Sequence, residues 1–567
     1  MKAPIQGTDL FKSLETAAGD DERRALLAAN MLDQLSPAAR GALDILSAPH
    51  WIEPSMLGGG KGVLVRKGPL DELRDRGLVR SLAGERLSIA SDVRAHVLDR
   101  LAQDRRDDYT ALSRRFHDAF SPLAGQAAEP YLEAQYHRLA FDEAAAARQM
   151  FRDAVDLKSE PVFAFAALRR LLEGWREQAD RGVLSEPSVQ ALKVAELFDP
   201  SARRRPAQEV ELLAAMTVDG TGHDPAVSAE IALRSGLAWT ALGDGRRAEA
   251  VLKDARALYR ILDDPRGAAE CGRALGRLRI KADRYAEART EYDGAAREFR
   301  RLGLPIGEAH CIKARAEVDM LTGELNAAEP AFQHAIARFE TQGAKLGEAN
   351  SRVALANLHI TRGDFEPAGD ELRAAAPTYD LLETVLGQAN CAKGWGWLQT
   401  DQGDYGAAEA SLLAAMTLYD HWGSATGTAN VLLLTGRLRV RQGDAQTALG
   451  LLDQADKAYA ALEDRLGAAT VLRERAVALA HLDRAAEAVG LMDKSVDMFM
   501  AIGSRVEAAL SALALAELTE LAAPDGADEA PSSPAPAVTR DTAVEILAAA
   551  GVRAPSLALA GLSAATA

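Results

Sequence analysis

The sequence predicts an all-α chain whose C-terminal half is a stacked array of helical repeats. Three observations predict it. Gly267, Gly307, Gly347, Gly387, Gly427 and Gly467 fall forty residues apart without slippage. An aromatic series keeps the same step: Tyr259, Phe299, Phe339, Tyr379, Tyr419, Tyr459 and Phe499. So does an alanine series from Ala248 to Ala488. Residue classes held in one phase at this period mark equal supersecondary units that bury their apolar faces against one another.

Composition agrees. The 567 residues exceed one ordinary domain, but a solenoid grows along one axis and escapes that limit. Hydrophobic residues make up 48% and aromatics only 5%, so alanine carries much of the helix packing. The net charge of −16 argues against a general nucleic-acid binder, because phosphate contacts need clustered Lys and Arg. Met1 to Leu10 holds no apolar signal core, and no apolar run reaches the ~18 residues of a membrane span. The expectation is a cytoplasmic protein with no membrane partner. Cys271, Cys311 and Cys391 share one position of the repeat. Equivalent positions in adjacent repeats stand on the order of 10 Å apart, too far for a disulfide or a shared metal. They read as small buried hydrophobes.

Residues 1–34 read as a helical lead-in. In 35–104, Ser36 and Pro37 start a helix as N-cap and first helical residue. A short helix from Pro54 to Leu57 follows, and Gly58-Gly59-Gly60 breaks the chain. Gly68 to Gly77 is a short helix closed by glycine. Leu78–Arg80 and Arg86–Ile89 flank Gly84 as a hairpin, and Ser91-Asp92 opens a further helix. Helices followed by a small β-ribbon are the winged-helix order. The phrases LSPAARGALDILS and GPLDELRDRGLVRSLAGERLSIASDVRAHVLDRLA resemble the winged-helix subdomain of STAND signalling ATPases, the NB-ARC-like family, over about seventy residues. In that family the subdomain follows a nucleotide-binding domain and precedes a repeat array. Here the ATPase signature is missing. Gly58-Gly59-Gly60-Lys61-Gly62 comes nearest to a P-loop, yet Lys61 is followed by glycine and no buried strand precedes it. It reads as a turn, and no cofactor is expected. The candidate DNA-reading helix, Gly68 to Gly77, sets Asp71, Glu72 and Asp75 against Arg74 and Arg76, a poor match for phosphates.

Residues 105–222 continue as helices, including a degenerate helix–turn–helix around Asp142 and a loop at Arg203-Arg204-Arg205-Pro206. Residues 223–502 hold seven forty-residue repeats. In each, a first helix ends at a turn occupied by Gly243, Gly323, Gly363, Gly403 or Gly443, with Asp283 and Asp483 in two copies. These types fit a left-handed backbone position. Seven residues earlier stands a small residue: Gly236, Gly276, Ala316, Ala356, Gly396, Gly436 or Ala476. Large side chains there would overpack the helix pair.

Small residue, Gly-Asp and two alanines in this phase resemble the tetratricopeptide repeat (TPR). Its usual period is 34 residues, so this chain is similar to the forty-residue variant of many bacterial STAND proteins. The resemblance implies a right-handed superhelix whose first helices line a concave groove. It places at that lining His310, Asn350, Asn390 and Asn430, then Lys313 and Lys393, then Asn357, Trp397 and Arg437. The asparagines form a ladder. Side-chain amides donate and accept, so a ladder can grip an extended peptide, or it can space the repeats through Asn–Asn contacts. Lys313, Lys393 and Arg437 add positive charge and Trp397 an aromatic face. The expected partner is a protein or peptide bearing acidic or carboxylate groups.

A capping helix is expected over 503–521, a disordered linker over 522–541, and a short helical tail over 542–567. The array holds no His-Glu-x-x-His and no Gly-x-Ser-x-Gly, and neither a metal site nor catalysis is expected. The function class is a non-enzymatic interaction scaffold or sensor; the STAND resemblance adds a bacterial signalling or defence setting. The alternative is a transcription regulator, with the winged helix on DNA and the TPR array sensing a peptide.

Overall fold

The computed structural model describes residues 27, 29–57, 65–125, 127–157, 164–199, 206–218, 224–522 and 538–552. The Gly58–Gly62 turn, the Arg203–Arg205 loop, most of the linker and the last residues lie outside these. The described chain forms two compact units. One holds the helices up to Glu196; the other holds 206–218 and everything from Ser228 onward.

The first unit begins with α1 (Pro37–Ser47), whose N-cap Ser36 accepts from the Ala39 amide at 3.2 Å. A turn of 3-10 helix (Pro54–Leu57) and α2 (Lys67–Asp75) follow. β1 (Val79–Ser81) and β2 (Leu87–Ile89) pair antiparallel, Val79 opposite Ile89, and Ile52 bridges Leu87. Then come α3 (Ser91–Asp104), α4 (Arg106–Phe120), α5 (Ala128–Arg138), α6 (Glu143–Leu157), α7 (Ala164–Asp180) and α8 (Glu186–Glu196). Leu43, Leu73, Val97, Leu101, Phe116 and Phe120 fill one core without measurable exposure.

The second unit starts with α9 (Pro206–Val218), tied to the next helix by Glu209–Arg234 at 3.1 Å. Helix pairs then repeat every forty residues: α10 (Pro225–Leu242) with α11 (Gly245–Ile261), α12 (Pro265–Lys281) with α13 (Tyr285–Arg301), and α14 (Pro305–Leu321) with α15 (Leu325–Thr341). The array continues with α16 (Lys345–Arg362) and α17 (Phe365–Leu381), α18 (Val385–Gln402) and α19 (Tyr405–Trp422), α20 (Ala425–Arg441) and α21 (Ala445–Ala461), and α22 (Arg465–Ala480) and α23 (Ala485–Ile502). α24 (Arg505–Ala522) and α25 (Arg540–Ala550) close it. The second unit is an all-α solenoid of TPR-like helix pairs.

The periodic glycine and aromatic series are partners. From Tyr259 to Tyr459, each aromatic ring at the end of a second helix packs on the glycine eight residues later, in the next repeat. A Cβ on Gly307 would stand 2.6 Å from Phe299, and one on Gly347 2.6 Å from Phe339. Tyr259, Tyr379, Tyr419 and Tyr459 cover Gly267, Gly387, Gly427 and Gly467 in the same way. The small-residue position meets the second helix sixteen residues on: a Cβ on Gly396 would lie 2.6 Å from Leu412. Steric closeness therefore selects both glycine series.

The turn within each pair is left-handed, at Gly403 (φ 82°) and equally at Asp283 (φ 56°). The turn between pairs is left-handed too, a feature that the sequence pattern hides. Glu383 adopts φ 48° and Glu463 φ 54° where other copies carry glycine; non-glycine residues bear some strain there.

The array closes on itself. A Cβ on Gly323, after α14, would stand 3.0 Å from Val506 of α24, and Asp283 lies 3.7 Å from Arg465. α25 folds back onto α24, burying Val538, Ala543, Leu547 and Ala550. Its last turn reaches the third pair, where Asn326 donates to the Ala549 carbonyl at 2.7 Å.

Candidate functional site

First helices of five successive pairs, α14 to α22, and the closing helix α24 contribute to a cavity of about 220 Å³. Convergence of alternate helices on one space makes their shared face the inner one. Lys393, Trp397, Asn430 and Arg437 line it, together with Leu321, Thr361, Leu433, Leu434, Leu466, Thr470, Arg473 and Val506. His310, Lys313, Asn350, Asn357 and Asn390 do not line this cavity.

The asparagine ladder is half committed. The Tyr379 hydroxyl donates to Asn350 Oδ1 at 2.9 Å, Tyr419 to Asn390 Oδ1 at 2.6 Å, and Tyr459 to Asn430 Oδ1 at 2.6 Å. Each bond joins the first helix of a pair to the end of its second. The acceptor is used inside the repeat, and among the described residues the three Nδ2 groups have no partner. All three asparagines are half-buried. The first pair uses the same geometry with a carboxylate, Tyr259 donating to Glu230 at 2.8 Å. In the third pair the His310 ring instead packs on Phe339, centroids 4.8 Å apart. Burial, then the charge of Arg273, lowers the His310 pKa to about 3, so it is neutral. Asn357 holds a buried Oδ1 without a hydrogen bond.

The cations differ from what residue type alone implies. Lys313 pairs with Glu317 at 2.6 Å, one turn along its own helix. Arg437 is buried and directs Nε and Nη2 at Glu474 Oε1, at 3.1 and 2.7 Å. Burial opposes the charge on Glu474, but Arg437 and Arg473 hold its pKa below the usual carboxylate range. Arg437 therefore adds no net charge to the groove. Arg473 pairs with Glu507, Arg273 with Glu270 at 2.6 Å, and Arg441 with Asp401 at 3.7 Å. Trp397 donates its indole N–H to Asp401 at 3.0 Å, and its ring centroid lies 6.0 Å from the Arg437 guanidinium carbon. Lys393 stands apart. It forms no ion pair among the described residues, and burial lowers its pKa.

Residue-type reasoning missed Glu474 and Glu507. Glu474 lies three residues before Val477, the repeat equivalent of Arg437, so it sits one turn back on the neighbouring helix. A search for opposite charges one turn out of phase would have found it. The cysteines are buried and free, and burial pushes their thiols up to about 12, 12 and 11. Such thiols are poor nucleophiles.

The first unit holds a separate charged cluster. His50 lies 2.8 Å from Glu133 and 2.7 Å from Glu177. Glu177 also receives Arg94, and Arg181 at 2.6 Å. Burial and Arg94 oppose protonation of His50, but the two carboxylates raise its pKa to about 9. The cluster ties the segment after α1 to α3, α5 and α7, a structural task. On α2, Glu72 accepts from both the amide and the hydroxyl of Ser36, at 2.9 and 2.6 Å, and Arg74 faces Asp71 at 3.7 Å.

No protein-family model matches the chain, and neither does any curated protein sequence. Similar solved structures are helical-repeat proteins. A STAND protein with a tetratricopeptide repeat sensor from Pyrococcus horikoshii shares 16% identity over 81% of this chain and 68% of its own, with a TM-score of 0.48. The quorum sensor NprR from B. thuringiensis shares 13% over 62% and 98%, TM-score 0.45. A Rap protein complexed with competence and sporulation factor shares 15% over 59% and 98%, TM-score 0.41.

Proposed function

We propose that the second unit is a non-enzymatic binding module that holds a protein or peptide segment on its inner face. One observation carries this reading. Asn350, Asn390 and Asn430 recur at the same point of successive pairs with their oxygens fixed by tyrosines and, among the described residues, their amide N–H groups unpartnered. Fixed donors at a regular step suit the carbonyls of an extended chain, and pre-organisation lowers the entropy cost of binding. His310, Lys313 and Asn357 line the same helix face outside the cavity and belong to the proposed surface. A signalling or defence setting in a bacterial cytoplasm is part of the proposal and rests on the STAND resemblance.

The winged-helix-like order of residues 35–104 is assigned here to positioning rather than DNA reading. Arg74 faces Asp71 of its own helix, Arg76 donates to Gln34, and Glu72 is spent on Ser36.

A photo-crosslinking amino acid at Thr470, on the inner face, and at Leu413, 67% exposed on a second helix, tests the reading in the native cell. The expected result is a discrete protein adduct from position 470 that Asn390→Ala with Asn430→Ala removes. Adducts from position 413 alone would move recognition to the outer face.

A further inference from the structure

The closed array meets itself at a seam. There the turn after α14 touches α24, and a Cβ on Gly323 would stand 3.0 Å from Val506. The ion pair across the seam, Asp283 with Arg465, is long at 3.7 Å, and its arginine is half-exposed. Such pairs contribute little. α25 adds a tie that spans both sides. Ala543, Leu547 and Ala550 share one apolar core with Leu515 and Leu518 of α24 and with Leu325 of α15. α24 closes the array and α15 belongs to its third pair, so one short helix joins elements far apart in the chain.

The third and fourth pairs read the end of this helix. Carbonyls in a last helical turn lack an intrahelical partner, and Asn326 donates to that of Ala549 at 2.7 Å. Arg362 fixes the asparagine, donating to its Oδ1 at 2.7 Å, and is itself held by Glu329. Its charge also suits the negative pole of α25. Both residues depart from the repeat. No other copy carries asparagine at the phase of Asn326 or arginine at the phase of Arg362. Packing of one repeat on the next therefore does not call for them; the helix end does.

α25 is also easily lost. Its eleven residues make a helix that is marginal in water by itself, and elements held by a small apolar face open before the rest. Its release would bear on the cavity. Val506, at the seam, and Leu321, two residues before Gly323, both line that space, so parting the seam opens its wall.

We infer that α25 is a releasable strap. Docked, it holds the array closed; undocked, it lets the seam part and uncovers the inner face. What then enters rests on the binding-module reading above; the strap itself does not.

Gln333→Cys with Asp493→Cys, at exposed positions of α15 and α23, places nitroxide labels on the full chain. Double electron–electron resonance reads their separation across the seam, and the native cysteines are buried. Leu547→Asp puts a charge on the docked face of α25; Val544→Asp puts the same charge where the helix is 52% exposed. Leu547→Asp should lengthen and broaden the distance and speed amide exchange in α25 roughly tenfold or more. Val544→Asp should match the parent. Asn326→Asp attacks the contact from the array side and should move both readouts the same way. It decides the matter if Leu547→Asp loses more helicity than the eleven residues of α25 hold. An unchanged distance while α25 exchanges freely would overturn the strap, because the seam then holds itself. So would a dimer that Leu547→Asp dissolves, which would seat α25 on a second copy. Neither readout needs a partner, so either failure leaves the binding-module reading standing; the adduct at position 470 tests that reading alone.

Discussion

The Tyr419 hydroxyl donates to Asn390 Oδ1 at 2.6 Å, joining the end of α19 to α18. The bond makes one residue of the periodic scaffold responsible for the orientation of one residue of the proposed surface. The same pairing recurs at Tyr379–Asn350 and Tyr459–Asn430. Tyr419→Phe is expected to lower unfolding free energy by about 1 kcal/mol. Urea denaturation followed by circular dichroism checks this; an unchanged midpoint would mean that the bond adds nothing.

Gly427 is the flat surface on which that tyrosine ring rests. Gly427→Ala drives a methyl into the ring and should cost about 1–3 kcal/mol, the usual range for overpacking. Tyr419→Ala opens a cavity of its own. In the double variant the clash vanishes, so the two losses should sum to less than additive by a margin a double-mutant cycle resolves. Strict additivity would show that the forty-residue glycine period has another cause.

Arg437 and Glu474 form a buried ion pair between α20 and α22. Glu474→Ala leaves the guanidinium buried without its partner, and a loss of about 3–5 kcal/mol is expected. Arg437→Met with Glu474→Leu removes both charges and should recover most of it. Thermal melts of the three variants decide; equal losses in single and double variants would mean that side-chain packing, not charge, holds the two helices.

His50 makes stability depend on alkaline pH. Its pKa is raised from 6.5 to about 9 by Glu133 and Glu177, against burial and the charge of Arg94. A raised folded pKa means that its contribution is complete below 6.5 and is lost as pH climbs through about 9. His50→Gln should flatten the fall in Tm across that window and leave the slope below pH 6 unchanged. A parallel fall in both proteins would place the alkaline sensitivity elsewhere.

The helix pairs, both kinds of small-residue position and the left-handed turns at Gly403 and Asp283 were legible because each imposes a residue type at a fixed phase. The left-handed turns at Glu383 and Glu463 were not, since neighbouring contacts hold a residue that carries no such preference. Among the candidate site residues, position on the inner helix face was legible for Asn430, Lys393 and Trp397. Their state was not. Arg437 reads from sequence as a free cation, yet Glu474, thirty-seven residues away, neutralises it. The asparagine ladder left two readings open, peptide grip or spacing between repeats. The structure shows a third arrangement, each oxygen held within its own pair by a tyrosine.

By itself the sequence determined the repeat, its phase and the face on which each side chain lies, because helical period and steric size act locally and are written residue by residue. Only the tertiary structure decided which of those side chains are already matched. It brought Gly323 against Val506 and laid α25 across the end of the array. It paired every cation of the cavity except Lys393 among the described residues. Pairing depends on distances between helices far apart in the chain, and the curvature of the stack sets those distances rather than any local preference.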